Sequence, residues 1–341
     1  MEDRIARADG IMKSIMTTRF LCLLLLAFTA TVFPVHSAEK NPRITLLLSG
    51  KADLHLQTMR GFKQRLDEYG DITVALDVKK LIDDKTEDSI DIGASGSDLI
   101  IAIGSRATRK LVDADIDTPA LSIVTPKVTF STLMNTSESA SKRHRSGKFA
   151  GIVLDQPPLR RIRLARSILA GSRSIGVLWG PTSSQEAAEY RAAASTAGVE
   201  LNEAVVDEDA NPVPIIEGLI KNNKALLAVY DSVALNPNIS KWLLYLAYQY
   251  RVPVIGFSRA YVDAGALAAV YSTPEQIGRQ AAEIVYDYIE GNSGNLPLQI
   301  YPKYFSLGLN RSVARSIGLS LPDEDLLLLQ LMQAEEGRQA Q

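Results

Sequence analysis

From Arg43 onward, short runs rich in leucine and β-branched residues alternate with longer amphipathic stretches, and this alternation constrains the fold more than any other feature. Parallel strands need a covering crossover between them, so the pattern predicts parallel sheets sandwiched by helices. In the first series, strands are expected at 44–48, 72–78, 99–103 and 120–124. Between the first two, Leu56, Met59, Phe62 and Leu66 recur at steps of three and four, which puts them on one face of a helix over 54–69. The stretch 131–148 interrupts the texture. It holds several serines together with Lys142, Arg143, His144, Arg145 and Lys148, has no strand-like apolar run, and reads as an exposed connection.

A second series follows, with strands expected at 150–154, 175–179, 201–206, 225–230 and 252–257. Pro157-Pro158 suits the start of a helix, because proline loses nothing in a first helical turn. Two late strands, 266–271 and 301–309, flank a strong helix from Pro274 to Glu290 that Gly291 ends. The expected fold class is therefore α/β, with two doubly wound lobes joined by hinge crossovers. An acidic start at Asp323-Glu324-Asp325, followed by leucines, predicts a short helix in the tail 323–341.

Composition narrows the chemistry. The 341 residues carry 37 basic and 39 acidic side chains, so there is no bulk basic field for nucleic acid or an anionic membrane. The apolar run Phe20–Phe33 follows Arg4, Arg7, Lys13 and Arg19 and is shorter than the roughly 20 residues of a spanning helix. Val35 and Ser37 before Ala38 complete a secretory leader over 1–37. Cys22 lies inside the run, not after a small residue at its end, which argues against a lipid anchor. Cleavage removes four basic and three acidic residues and leaves 33 against 36, a net charge of −3.

Cleavage also removes the single cysteine and one of the three histidines. His55 and His144 have no spacing suited to a metal, Gly50-Lys51 and Gly147-Lys148 lack the earlier glycine of a phosphate loop, and neither a GxGxxG nor a nucleophile elbow is present. Neither a metal nor a cofactor is expected, nor catalysis. In open α/β sheets a ligand sits beyond the carboxyl ends of the strands, where helix N-termini present free N–H groups. Those ends hold Ser49-Gly50-Lys51, Gly104-Ser105-Arg106, Thr125, Asp155-Gln156, Trp179, Tyr230-Asp231-Ser232 and Phe257-Ser258-Arg259. Ser105, as an N-cap, and Arg106 suit an anionic group; Asp155 or Asp231 suits an ammonium; Trp179, Tyr230 or Phe257 suits an apolar ring. Each also has an ordinary structural use, as a cap, as core or as a surface charge.

The segments Gly151-Ile-Val-Leu-Asp155, Ser174-Ile-Gly-Val-Leu-Trp-Gly-Pro181, Val252-Pro-Val-Ile-Gly-Phe257, Val262-Asp-Ala-Gly-Ala-Leu267 and Ile277-Gly-Arg-Gln-Ala-Ala282 match one family in order and spacing. They resemble the ABC-transporter substrate-binding family that includes tryptophan- and tyrosine-binding lipoproteins, from about Arg43 to Pro322. The family's usual Asp is missing where Val124-Thr125 runs directly into Pro126. The resemblance implies a type I periplasmic-binding-protein fold of two Rossmann-like lobes. Lobe 1 would be 43–130 plus 270–296, the exposed interlobe connection 131–148, lobe 2 149–269 plus 299–322, and the tail 323–341. Gly50, Lys51, Ser105, Arg106, Asp231 and Ser258 fall on cleft positions by this resemblance, and strand ends add Thr125, Asp155, Gln156, Ser232, Phe257 and Arg259. The expectation is a monomeric periplasmic binder of a small solute, an amino acid or related compound among the candidates, that serves an inner-membrane ABC permease. The alternative is a sensor or accessory subunit for a membrane signalling or uptake partner.

Overall fold

The computed structural model describes residues 41–70, 72–81, 91–92, 96–114, 116–169, 171 and 173–339, so the leader expected at 1–37 lies outside the described residues. The first lobe runs β1 (Arg43–Leu48), α1 (Asp53–Tyr69), β2 (Ala75–Lys80), β3 (Leu99–Ile103), α2 (Ser105–Asp113), β4 (Ala120–Thr125), α3 (Lys127–Thr136), α4 (Glu138–Arg145) and β5 (Phe149–Val153). The second continues with α5 (Pro158–Ile168), β6 (Ser174–Trp179), α6 (Ala187–Ala197), β7 (Glu200–Val205), α7 (Pro212–Asn222) and β8 (Ala225–Leu227). It goes on through α8 (Pro237–Gln249), β9 (Val254–Gly256), α9 (Arg259–Asp263) and β10 (Ala268–Tyr271). The chain then returns to the first lobe with α10 (Pro274–Ile289) and β11 (Gln299–Ile300), and finishes on the second with β12 (Ser306–Leu309), α11 (Arg311–Ile317) and α12 (Glu324–Gln339).

The first sheet has the order β11-β5-β4-β3-β1-β2 and the second β12-β10-β9-β8-β6-β7. All pairings are parallel except β10 with β12. Each sheet therefore reverses its strand order once, between β1 and β3 and between β6 and β8, and such a switch point is where an open α/β sheet offers a crevice. The strands β1, β3 and β4 are buried almost throughout because helices cover both sheet faces, which is why they read as continuous apolar runs and not as alternation.

Two boundaries differ from the sequence expectation. The strand at 149–153 belongs to the first sheet, paired with β4 from Ala120↔Phe149 onward, and the crossing to lobe 2 comes only after it. Gly151 fixes that place: a Cβ there would lie 2.8 Å from the Phe130 ring of α3, so only glycine lets the helix settle on this strand. The stretch 131–148 is the rest of α3 together with α4, not an exposed link. Ser137 caps α4 by accepting the Ala140 N–H at 3.2 Å. Arg143 is 6% exposed, donates to the Thr118 carbonyl at 2.9 Å and lies over the Phe149 ring. Its buried guanidinium is what gives this polar stretch an inner face.

The helix α10 ties the late chain to lobe 1 by direct backbone contact. A Cβ on Gly61 would lie 2.3 Å from the Glu275 carbonyl oxygen, and one on Gly278 2.1 Å from that of Thr58. The chain crosses between lobes at 154–157, 272–273 and 301–305. One polar network joins the three crossings. Gln156 donates to Ser272 Oγ at 2.8 Å, Ser272 to the Tyr304 carbonyl at 2.6 Å, and Arg160 to Gln156 Oε1 at 2.6 Å and to the Pro302 carbonyl at 3.0 Å. Glu335 of α12 holds the other edge of the same guanidinium, with Leu327 and Leu331 anchoring that helix in the lobe 2 core.

Candidate functional site

In lobe 1 the carboxyl ends of β1 and β3 are locked to each other. Ser49 Oγ accepts the Ala107 N–H at 2.9 Å, capping α2 from the neighbouring strand. Gly104, not Ser105, is the N-cap; its φ of +95° and the Ser49 hydroxyl 2.6 Å from where a Cβ would sit both require glycine. Ser105 and Arg106 are the first helical residues and half-buried, Gly50 is half-buried, and Lys51 is exposed. Beside Gly104 lies His55, whose pKa burial lowers against a hydrogen bond to the Gly50 backbone. Thr125 is directed inward, into a buried hydroxyl cluster with Thr108 (2.9 Å) and Ser122 (3.1 Å). The step before it, Val124, adopts φ +59°, a strained state for a β-branched residue at the mouth of the crevice.

In lobe 2, Asp231 is wholly buried and its carboxylate is spent on the loop around it. One oxygen accepts from the Thr182 N–H and hydroxyl and the Ser183 N–H, the other from the Val233 and Ala234 N–H groups, all at 2.7–3.1 Å. Burial pushes its pKa up, yet these bonds outweigh burial and hold it at about 2. Gly180 is obligatory below it, since a Cβ would lie 2.3 Å from Oδ1. Asp231 is thus a clamp between the β6 and β8 loops. Ser258 caps α9 by accepting the Tyr261 N–H at 3.2 Å, and exposed Arg259 pairs with Asp263 at 3.0 Å. Trp179 is core, packed edge-on to Tyr190. Tyr230, Phe257 and Tyr261 form an aromatic row, with centroids 5.8 and 4.7 Å apart, and Ser232 is exposed beside them.

The lobes meet at a charged cluster. From lobe 1, Lys127 gives its N–H to Asp155 and its ammonium to Glu189 Oε1 on α6 at 2.6 Å. Tyr301, on a crossover, accepts from that ammonium at 2.9 Å and donates to Glu189 Oε2 at 2.7 Å. Beneath them Arg161, 3% exposed, donates to Tyr190 Oη and to the Ala228 and Gly256 carbonyls, the ends of β8 and β9. Burial raises the pKa of Asp155 against the Lys127 N–H and the Arg161 charge. Burial, reinforced by the Asp155 charge, pushes Glu186 to about 7. Its folded value lies above the free-glutamate 4.5, so its contribution to stability is full below about pH 4.5 and is lost as pH rises through 7.

Of the residues picked out at strand ends, the structure brings Asp155 and Gln156 into the lobe junction and Phe257, Ser258 and Ser232 onto one wall of lobe 2. Asp231 and Thr125 are taken up by the protein itself, and Arg259 pairs on the surface. Sequence reasoning missed Lys127, Arg161, Glu186, Glu189 and Tyr301. Their one visible sign was that Lys127, Glu186 and Glu189 follow soon after predicted strands. The Lys127–Glu189 contact yields a measurable coupling: a double-mutant cycle of Lys127→Met with Glu189→Gln, read by thermal unfolding, is expected to return about 0.5–1 kcal/mol. A coupling of zero would make the contact incidental.

Two doubly wound lobes, three hydrogen-bonded crossovers and strand ends converging on one junction define a two-lobed binding protein of the periplasmic-binding type. The family model for ABC transporter substrate binding proteins matches residues 52–331, and the chain belongs to that family. Among solved structures it is similar to a ligand-free, open substrate-binding protein with adhesive properties from Clostridium difficile, at TM-score 0.65 and 16% identity over 83% of this chain and 96% of that one. It is also similar to a conserved domain protein from Vibrio cholerae (0.56, 20%, 85% and 98%). A third is the ABC domain in complex with L-Trp from Streptococcus pneumonia (0.55, 16%, 84% and 97%). No curated protein matches the sequence. At these identities the solved structures establish the fold. Among the described residues no helix is long and apolar enough to cross a membrane, and no group of acidic, histidine or cysteine side chains could hold a metal ion.

Proposed function

We propose that the protein is the periplasmic solute-binding component of an ABC importer, taking one small solute between its lobes and handing it to an inner-membrane permease. The observation that carries this reading is the junction at Lys127, Asp155, Glu186 and Glu189, where groups from both lobes meet above a hinge of three crossovers. A solute that replaces part of this network contacts both lobes at once, and only such a ligand shifts an open–closed equilibrium. Asp155 and Glu186 suit an ammonium or N–H group, and the amides and hydroxyls at Ser105 and Ser258 suit an acceptor. Leader cleavage would place the mature chain in the periplasm. Mass spectrometry of small molecules released from gently denatured protein tests the reading. A stoichiometric solute that rebinds unchanged is expected; its conversion to a product on rebinding would contradict a binding-only role.

A further inference from the structure

A cavity of about 850 Å³ forms a groove within lobe 2 between α8 and α9, walled by Lys241, Leu244, Tyr245, Tyr248, Tyr261 and Ala264. It opens at one end onto Tyr230, Phe257 and Ser258, the strand-end wall of the solute site. A free amino acid would fill only a small part of it; cavities of roughly 300–1,000 Å³ house drug-sized molecules. Its walls are largely aromatic and aliphatic. Asp231 is the one carboxylate on its lining, and that group is saturated by five hydrogen bonds. Lys241 supplies a cation that makes no ion pair or hydrogen bond among the described residues. In the wall, the buried Tyr261 hydroxyl faces Ser240, whose own proton goes to the Leu235 carbonyl.

We infer that this groove takes the apolar, aromatic limb of the transported solute and that Lys241 meets an anionic group on that limb, so the solute class is a bulky amphipathic carboxylate. The inference rests on the solute-binding reading and names the ligand class of the same site. Aromatic side chains stack on a planar limb, and an exposed lysine adds a salt-sensitive attraction at the rim.

The probe is 2-naphthoate, titrated into the intact protein by calorimetry. Wild type is expected to bind it below about 1 mM. Ala264→Trp, which fills the groove, weakens binding at least about tenfold, and Lys241→Gln weakens it about three- to tenfold and removes most of its salt dependence. Lys148→Gln, on the exposed surface of lobe 1 and outside both the junction and the groove, leaves naphthoate affinity unchanged. Absence of binding at 1 mM, or equal affinity in wild type, Ala264→Trp and Lys241→Gln, overturns the inference. Lobe closure followed by small-angle scattering separates the two readings. Closure by the co-purified solute without naphthoate binding defeats the groove and leaves the importer reading intact. Naphthoate binding as expected, with no solute able to close the lobes, defeats the importer reading alone.

Discussion

Asp231→Ala is expected to lose about 3–5 kcal/mol of unfolding free energy in urea titrations at neutral pH, because four backbone N–H groups and the Thr182 hydroxyl lose their shared acceptor in a buried site. The loops after β6 and β8 then lose the carboxylate that joins them at the crevice. The wild-type pH profile carries the same signature. The folded pKa of about 2 lies below the free-aspartate value of 3.8, so this stabilisation is complete above about pH 4 and disappears as pH falls through 2. In the Ala variant that acid-side loss should shrink. A variant with wild-type stability and reduced solute affinity would instead make Asp231 a solute ligand.

Arg161→Met is expected to cost a similar 3–5 kcal/mol, for a different reason. The guanidinium satisfies the Ala228 and Gly256 carbonyls and Tyr190 Oη and is the buried positive charge beneath Asp155 and Glu186. Methionine fills much of the volume but takes a donor from two strand-end carbonyls and leaves Lys127 as the nearest counter-charge to the two carboxyl groups. Both carboxyl pKa values, already raised by burial, rise further. The variant should therefore recover part of its lost stability as pH is lowered from 7.5 toward 5.5, opposite to the trend for Asp231. Thermal unfolding across that range checks it; a loss of less than about 1 kcal/mol with no pH trend would contradict the assigned role.

Strands buried on both faces, such as Leu99–Ile103, are visible in sequence because helices on either side demand continuous apolar runs. The lobe assignment of Phe149–Val153 was not visible, since a buried run looks the same whichever sheet pairs with it; Gly151 beneath Phe130 decides the matter only in three dimensions. Charged residues were the hardest to read. Asp231 after a strand looks alike whether its carboxylate faces a solute or a loop amide. Arg143 and Arg161 have the composition of surface residues and are nearly buried, each paired with backbone carbonyls far away in sequence. The Lys127–Glu189–Tyr301 junction joins three separate parts of the chain and leaves no local pattern.

Whether a solute closes the lobes is the central question. Small-angle X-ray scattering of the solute-stripped protein, before and after adding back the molecule recovered from it, answers it directly. A fall in radius of gyration that saturates at one solute per chain is the predicted result. An unchanged scattering curve at saturating, calorimetrically verified binding would contradict the account.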